Sequence, residues 1–263
     1  MIEPVRVLAP NPGPMTLDGT NTWVLRAIRS ARSVVVDPGP LDDGHLAAVR
    51  EAAGRVGLVV LTHRHHDHSE AAASFAASVG CGVRAADPRF QVRAVGDTDI
   101  RDGATGADLG LADGEVLTLD GLAITVVATP GHTSDSRSLR LADGSLLTGD
   151  TVLGRGTSVV AHPDGQLGAY LGSLQRLRDL AEDGLVTRLL PGHGPTMDDA
   201  LGTLDGYLAH RRERLEQVRQ AIEAGARTPR DVVERVYADV DRAVWPAAEL
   251  SVAAQLHHLA AGG

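Results

Sequence analysis

The chain of 263 residues has a single cysteine, Cys81, and no lysine: all 25 of its basic residues are arginine. One cysteine excludes an internal disulfide framework. Set in "SVGCGVRA", between an expected helix and an expected strand, Cys81 reads as a small buried residue and not as a nucleophile. The absence of lysine, with abundant alanine, points to a GC-rich coding sequence and carries no mechanistic content. No apolar run is long enough to cross a bilayer. The opening "MIEPVRVLAPNPGP" lacks the charged leader and hydrophobic core of a signal peptide, so a cytoplasmic location is the expectation. Positive charge is scarce too: the formal net charge of −9 disfavours a general nucleic-acid binder, because phosphate backbones are held by clustered basic residues.

What the chain does have is concentrated. Its length suffices for one large domain and a small one, and 43% hydrophobic residues with 30 glycines suit a turn-rich α/β protein. The stretch "LTHRHHDHSE", residues 61–70, places four histidines and an aspartate within six positions. An affinity tag would be terminal and free of carboxylates. This run is internal. It follows "VGLVVL", which predicts a buried strand ending at Leu61, and precedes "SEAAASFAASVG", which predicts a helix with Ser69 near its start and Gly80 at its end. The histidines are therefore expected in a strand-to-helix loop, where a rigid scaffold presents functional groups. Neutral imidazoles and a carboxylate suit zinc and similar divalent metals. In an extended loop His63 and His65 would face one point, while Asp67 and His68 turn toward a second as the helix begins.

Two metal sites need further ligands, and three later segments repeat the order strand, turn, polar residue. "LAITVVATPGHTSDS" supplies His132, "GSLLTGDT" supplies Asp150 and "VTRLLPGHGP" supplies His193, with glycines where the chain must bend. In order and kind, His63, His65, Asp67, His68, His132, Asp150 and His193 resemble the metal-binding pattern of the metallo-β-lactamase fold superfamily. The resemblance implies an α/β fold, a four-layer αββα sandwich with the metals along one edge. It implies that His63, His65 and His132 hold one metal, that Asp67, His68 and His193 hold a second, and that Asp150 bridges them. Two zinc ions are the expected cofactors, with manganese or iron as alternatives, and Asp67 and Asp150 are the expected catalytic residues. Lactam-hydrolysing members commonly carry cysteine or serine at the position of Asp150, and di-iron redox members carry glutamate at that of His65. The implied chemistry is hydrolysis of other substrates, by a hydroxide generated between metals about 3.5–4 Å apart. Thr62, Asp37, Thr133 and Ser134 are candidates to orient the imidazoles, whereas His66 falls outside the pattern and is expected to point away.

After "PGHGPTMDDALGTL" the pattern turns to helices only, which divides the chain into a catalytic domain, residues 1–204, and a helical tail, residues 205–263. "LDGYLAHRRERLEQVRQAIEAG" places Leu208, Leu215, Val218 and Ile222 on one face and stops at Gly225. "TPRDVVERVY" begins with Thr228 as N-cap, Pro229 in the first turn and Asp231 three positions after the cap. A third helix is predicted from about Pro246 to Leu259. This tail, with "NPGPMTLDGTNTWVL", "GHTSDSRSLRL" and "LLTGDTVLG", resembles the β-lactamase-like protein 2 family, whose tail is a winged helix. Here the sequence stops at "HLAAGG", so the wing is expected to be short or absent.

That family includes thioesterases acting on acyl-carrier proteins and single-strand-specific endoribonucleases. The tail holds eight arginines against nine acidic residues, so DNA is not an expected partner. A small-molecule or acyl-carrier thioester or ester is the expected substrate, with single-stranded RNA as the alternative; a lactonase, a glyoxalase II-like enzyme and a non-catalytic metal-binding protein are the remaining readings. The family tail packs over the active-site side, so the tail is expected to be a lid or substrate wall, while its basic run "HRRER", His210 to Arg214, reads as a solvated helix face, with substrate contact as the alternative.

Overall fold

Unbroken apolar, β-branched runs mark strands covered on both faces, and two of them, Ser33–Val36 and Val56–Val60, are buried at every position. The computed structural model describes residues 2–94 and 110–262. These runs are the third and fourth strands of a five-stranded sheet that comprises β1 (Val5–Leu8), β2 (Asn21–Leu25), β3 (Ser33–Val36), β4 (Val56–Val60) and β5 (Gly82–Arg84), in that spatial order. A second five-stranded sheet runs β10 (Arg188–Pro191), β9 (Ser145–Gly149), β8 (Arg137–Leu141), β7 (Leu122–Ala128), β6 (Val116–Leu119). Both sheets are mixed: β3, β4 and β5 are parallel neighbours, as are β9 and β10, and the other pairs are antiparallel.

Alternation sorts each strand's residues between layers. Val34, Val36, Leu58 and Val60 face Ile124, Val126, Leu139 and Leu147 of the other sheet, forming the central core. Val35 and Val59 point the opposite way, onto α1 (Asp43–Ala53) and α3 (Ala72–Val79) through Leu46, Val49 and Phe75. On the far side, Leu146 and Leu189 pack under α4 (Leu167–Glu182) and α5 (Ala200–Glu223), chiefly against Tyr170, Leu174, Leu177 and Leu204. The result is the expected αββα sandwich.

Register then fixes the functional edge. Val36 pairs with Val60 in the first sheet and Gly149 with Pro191 in the second, so the carboxyl ends of β3, β4, β9 and β10 lie level. The sheets are stitched there: the Asn21 amide donates to the Gly192 carbonyl at 2.7 Å, and the Arg137 amide to the Thr62 carbonyl at 2.8 Å.

The tail consists of the end of α5, α6 (Pro229–Val236) and α7 (Trp245–Ala260), around a small core of Val218, Val232, Val233, Trp245 and Val252. Its second helix starts as the sequence predicts: the Thr228 side chain accepts from the Asp231 amide and Asp231 accepts from the Thr228 amide, a reciprocal cap. No strand follows β10 among the described residues, where the tail is helical. The position 204/205 falls inside α5, whose first half packs on the sandwich and whose last turns pack in the tail core.

Leu174 is fully buried between α4 and the second sheet. Replacing it with alanine leaves a cavity and is expected to cost about 2–5 kcal/mol, seen as a lower urea midpoint at unchanged slope; a loss under about 1 kcal/mol would contradict this packing.

Candidate metal centre

The cluster begins where β4 ends. The Thr62 amide donates to Asp37 Oδ1 at 2.7 Å, which anchors the exit of β4 to that of β3. The chain stays extended only as far as His65. The His65 carbonyl accepts from the amides of both His68 and Ser69 at 3.0 Å, which starts a short helix, α2 (His66–Ser69), inside the histidine run and not after it. That turn carries Asp67 and His68 inward and sends His66 out: its side chain is 80% exposed and lies 3.1 Å from Glu70. The prediction that His66 points away holds.

All seven expected side chains converge. His63 Nε2 and His132 Nε2 stand 3.1 and 2.9 Å from His65 Nδ1. His68 Nε2 and His193 Nε2 are 3.2 Å apart, and Asp67 Oδ2 lies 3.3 and 3.1 Å from them. Asp150 touches both groups: its oxygens are 3.4 Å from His68 Nε2, 3.3 Å from His193 Nε2 and 3.7 Å from His132 Nε2. Ligand-type atoms thus fall into one set of His63, His65, His132 and Asp150 and another of Asp67, His68 and His193, each within 4.8 Å. Close approach needs a bare backbone at Gly192, where a Cβ would stand 2.5 Å from Asp150 Oδ1 and 2.7 Å from His68 Cε1.

The outer nitrogens show which way the inner ones face. His68 Nδ1 donates to Asp37 Oδ2 at 2.9 Å; His132 Nδ1 donates to the Val159 carbonyl at 2.7 Å; His193 Nδ1 donates to the Gly19 carbonyl at 3.1 Å. His63 Nδ1 donates to Thr62 Oγ1 at 3.1 Å, and that hydroxyl donates to Asp37 Oδ2 at 2.6 Å. Four rings therefore turn Nε2 into one small volume, together with Asp150 Oδ1, which is buried and accepts no hydrogen bond. Lone pairs aimed at one another are compatible only with cations between them, and the nitrogen and oxygen donor set fits borderline divalent metals.

Sequence reasoning found Thr62 and Asp37 among the groups that orient the rings. Thr133 and Ser134 do other work: Thr133 Oγ1 sits 2.7 Å from Ser136 Oγ within its own turn, and Ser134 donates to Asp164 at 2.9 Å. Their places are taken by the backbone carbonyls of Val159 and Gly19, which leave no side-chain signal. Thr20, whose hydroxyl donates to Asp67 Oδ2 at 3.1 Å, was also missed, although it sits in the quoted segment "NPGPMTLDGTNTWVL".

Electrostatics separates the two groups. Burial opposes the charge on His193, but Asp150 and Asp67 outweigh it and raise its pKa to about 9; His68 is likewise held well above its ordinary value despite burial, by Asp150, Asp67 and Asp37. In the other group burial dominates and lowers His132 to about 4. Asp67 stays ionised: burial opposes this, but His68 and His193 hold its carboxyl at about 2.

A cavity of about 660 Å³ opens from His132 and Asp150 toward the tail. Its walls are mostly apolar, from Leu17 and Leu153 of the sandwich to Tyr237, Val240 and Val244 of the tail. The tail is thus a wall of the site, and the basic run contributes His210, Arg211 and Arg214 to it.

Two outcomes follow from this geometry. At pH 7 the metal-free protein carries protons on His193, raised to about 9, and on His68, also held above its ordinary value, that ligation must displace, so zinc titration at pH 7 should release on the order of two protons, fewer as the pH passes the His193 value. Calorimetry in buffers of different ionisation enthalpy measures this, and a buffer-independent heat at pH 7 would contradict it. Gly192→Ala should weaken metal binding at least about tenfold in a protein that keeps its circular dichroism, whereas wild-type affinity would refute the packing described.

Comparison with known proteins agrees with the fold and the site. The sequence matches the family described as Metallo-beta-lactamase superfamily over residues 15–193, and the Beta-lactamase associated winged helix domain over residues 228–263. It is 33% identical to a Beta-lactamase-like protein 2 homolog of Drosophila melanogaster, over 97% of this chain and 86% of that protein. It is 29% identical to the Atrochrysone carboxyl ACP thioesterase dmxR1 of a Cryptosporiopsis species, over 83% of this chain and 62% of that one. The crystal structure of a metallo-beta-lactamase family protein from Thermus thermophilus superposes with a TM-score of 0.78 at 22% identity, covering 99% of this chain and 94% of that one. Identity above 30% over nearly the whole chain, with the family match across the sandwich that carries the ligands, assigns this chain to the metallo-beta-lactamase superfamily, whose members are typically hydrolases.

Proposed function

We propose that this protein is a dinuclear zinc hydrolase of an ester-type bond, a thioester or ester, whose acyl part lies in the cavity beside His132 and Asp150. The cavity carries the reading: about 660 Å³ with mainly aliphatic walls, closed on one side by the tail, suits an acyl chain. Single-stranded RNA is instead held by open cationic grooves with successive aromatic platforms, and the described wall offers one phenol ring, Tyr237, besides the imidazoles of His132 and His210. The 29% identical relative named as an acyl-carrier thioesterase supports the same reading.

In this reading His63, His65 and His132 would hold one zinc and Asp67, His68 and His193 the other, with Asp150 within reach of both sets. Bound there, two divalent cations would supply a water of near-neutral pKa and polarisation of the scissile carbonyl. The chain's own groups do the rest. Asp37, Thr62, Val159 and Gly19 hold the Nδ1 side of four imidazoles, so that each Nε2 already faces the site and becomes a lone-pair donor once any proton it carries is displaced. Thr20 holds Asp67 Oδ2, and an Asp67 carboxylate that stays ionised can accept a hydrogen bond from the attacking water and aim it. Leu17, Leu153 and Val240 keep bulk water from the acyl chain and strengthen every interaction of the reacting carbonyl.

The test is hydrolysis by the zinc-reconstituted protein of an acyl thioester and of a labelled single-stranded RNA, side by side, with Asp150→Ala as control. Thioester turnover is expected, reduced about a hundredfold or more in the variant. RNA cleavage without thioester turnover would overturn the reading.

A further inference from the structure

The cavity wall contains a charge that nothing described so far uses. Arg211 is only 5% exposed. Its guanidinium carbon stands 4.8 Å above the Tyr170 ring, and one Nη donates to the Ser158 carbonyl. Its Nε is buried with no hydrogen-bond partner. One turn on, Arg214 lies over the Tyr237 ring at 4.9 Å and donates to Gln217 Oε1 at 2.8 Å. Among the described residues no carboxylate forms an ion pair with either guanidinium.

Acidic residues outnumber basic ones, 34 to 25, and Arg84, the other arginine buried as deeply among the described residues, pairs with Glu115 at 2.6 Å. Burying an unpaired guanidinium is costly, so its position in a substrate cavity calls for an anion from outside the protein. His210, on the same helix and lining the same cavity, reports the local potential: burial, then the charges of Arg211 and Arg214, hold it below its ordinary pKa. Its Nδ1 is also buried without a partner.

We propose that Arg211 and Arg214, with His210 beside them, form an anion subsite in the cavity wall that receives an anionic oxygen group of the substrate, a carboxylate on its acyl part or a phosphate on its leaving part. The subsite rests on the ester and thioester reading for its substrate, but its anion binding is testable apart from turnover. Planar guanidiniums match such oxygens with paired hydrogen bonds, and the apolar surroundings strengthen them. Specificity then lies in the tail helix, on residues other than the seven ligand-type ones, which would leave a neutral acyl chain a poor substrate.

Three thioesters separate the sources: octanoyl-N-acetylcysteamine, its analogue with a terminal carboxylate, and octanoyl phosphopantetheine. With the zinc-loaded protein, kcat/KM for the carboxylate-bearing or the phosphate-bearing compound is expected to exceed that for the neutral one by about tenfold or more. The favoured compound tells which end of the substrate the subsite holds. Arg211→Gln and Arg214→Gln should each collapse the ratio mainly through KM, and Arg211→Lys should keep part of it. A ratio near one in the wild type, or a ratio unchanged in both glutamine variants, overturns the proposal. If no thioester turns over, calorimetric titration with octyl phosphate and monomethyl suberate decides the subsite alone: binding that is lost in Arg214→Gln, the more exposed position, supports it, and no binding, or binding equal in the variant, overturns it. Slower RNA cleavage in the glutamine variants without any ratio among the thioesters would make these arginines phosphodiester contacts and overturn it as well.

Discussion

Asp37 is a buried carboxylate at the end of β3 that accepts three hydrogen bonds at once, from the Thr62 amide, the Thr62 hydroxyl and His68 Nδ1. To make them its backbone sits at φ 51, a left-handed conformation that non-glycine residues seldom adopt. Through Thr62 it also reaches His63, so one carboxylate orients a ring in each of the two ligand groups. Imidazoles crowded into so small a volume can bind metal together only if the N–H that does not ligate is held facing outward. Asp37 enforces this for the strand-to-helix loop, and the carbonyls of Val159 and Gly19 extend it to His132 and His193.

The sandwich exists, functionally, to bring those acceptors and ligands level. Parallel pairing of β3 with β4 and of β9 with β10 sends four strand ends to one edge, and the Asn21 and Arg137 amide bonds fasten the two sheets there. The tail completes what the edge begins. Tyr207 of α5 bonds to both the amide and the carbonyl of Leu153, and Arg211 holds the Ser158 carbonyl, next to the residue whose carbonyl orients His132. Substrate wall and ligand support are therefore parts of one packed unit, which explains why a helical tail with little charge excess belongs to the site.

Much of this was legible in the sequence, for physical reasons that differ by element. Buried parallel strands need unbroken apolar residues, so β3, β4, β9 and the ligands at their ends could be read directly. The tail helices announced themselves by an apolar face and by the Thr228–Asp231 cap. The start of α2 inside the histidine run could not be read, because that turn is fixed by the His65 carbonyl and has no capping side chain. Nor could the acceptors for His132 and His193, since a carbonyl looks the same at every position. Arg211 and Arg214 were visible only as part of the run "HRRER", which on an amphipathic helix is ordinarily a solvated face; burial of Arg211 without a carboxylate is a fact of three dimensions.

The most direct test of the central claim is the metal content of the zinc-saturated wild-type protein and of Asp37→Ala, measured by elemental analysis across a chelator titration. Two zinc ions per chain are predicted in the wild type, with retention in the variant weakened about ten- to a hundredfold while the far-ultraviolet circular dichroism is kept. One zinc per chain in the wild type, or equal retention in the variant, would show that the rings are not organised from Asp37 and would contradict the account.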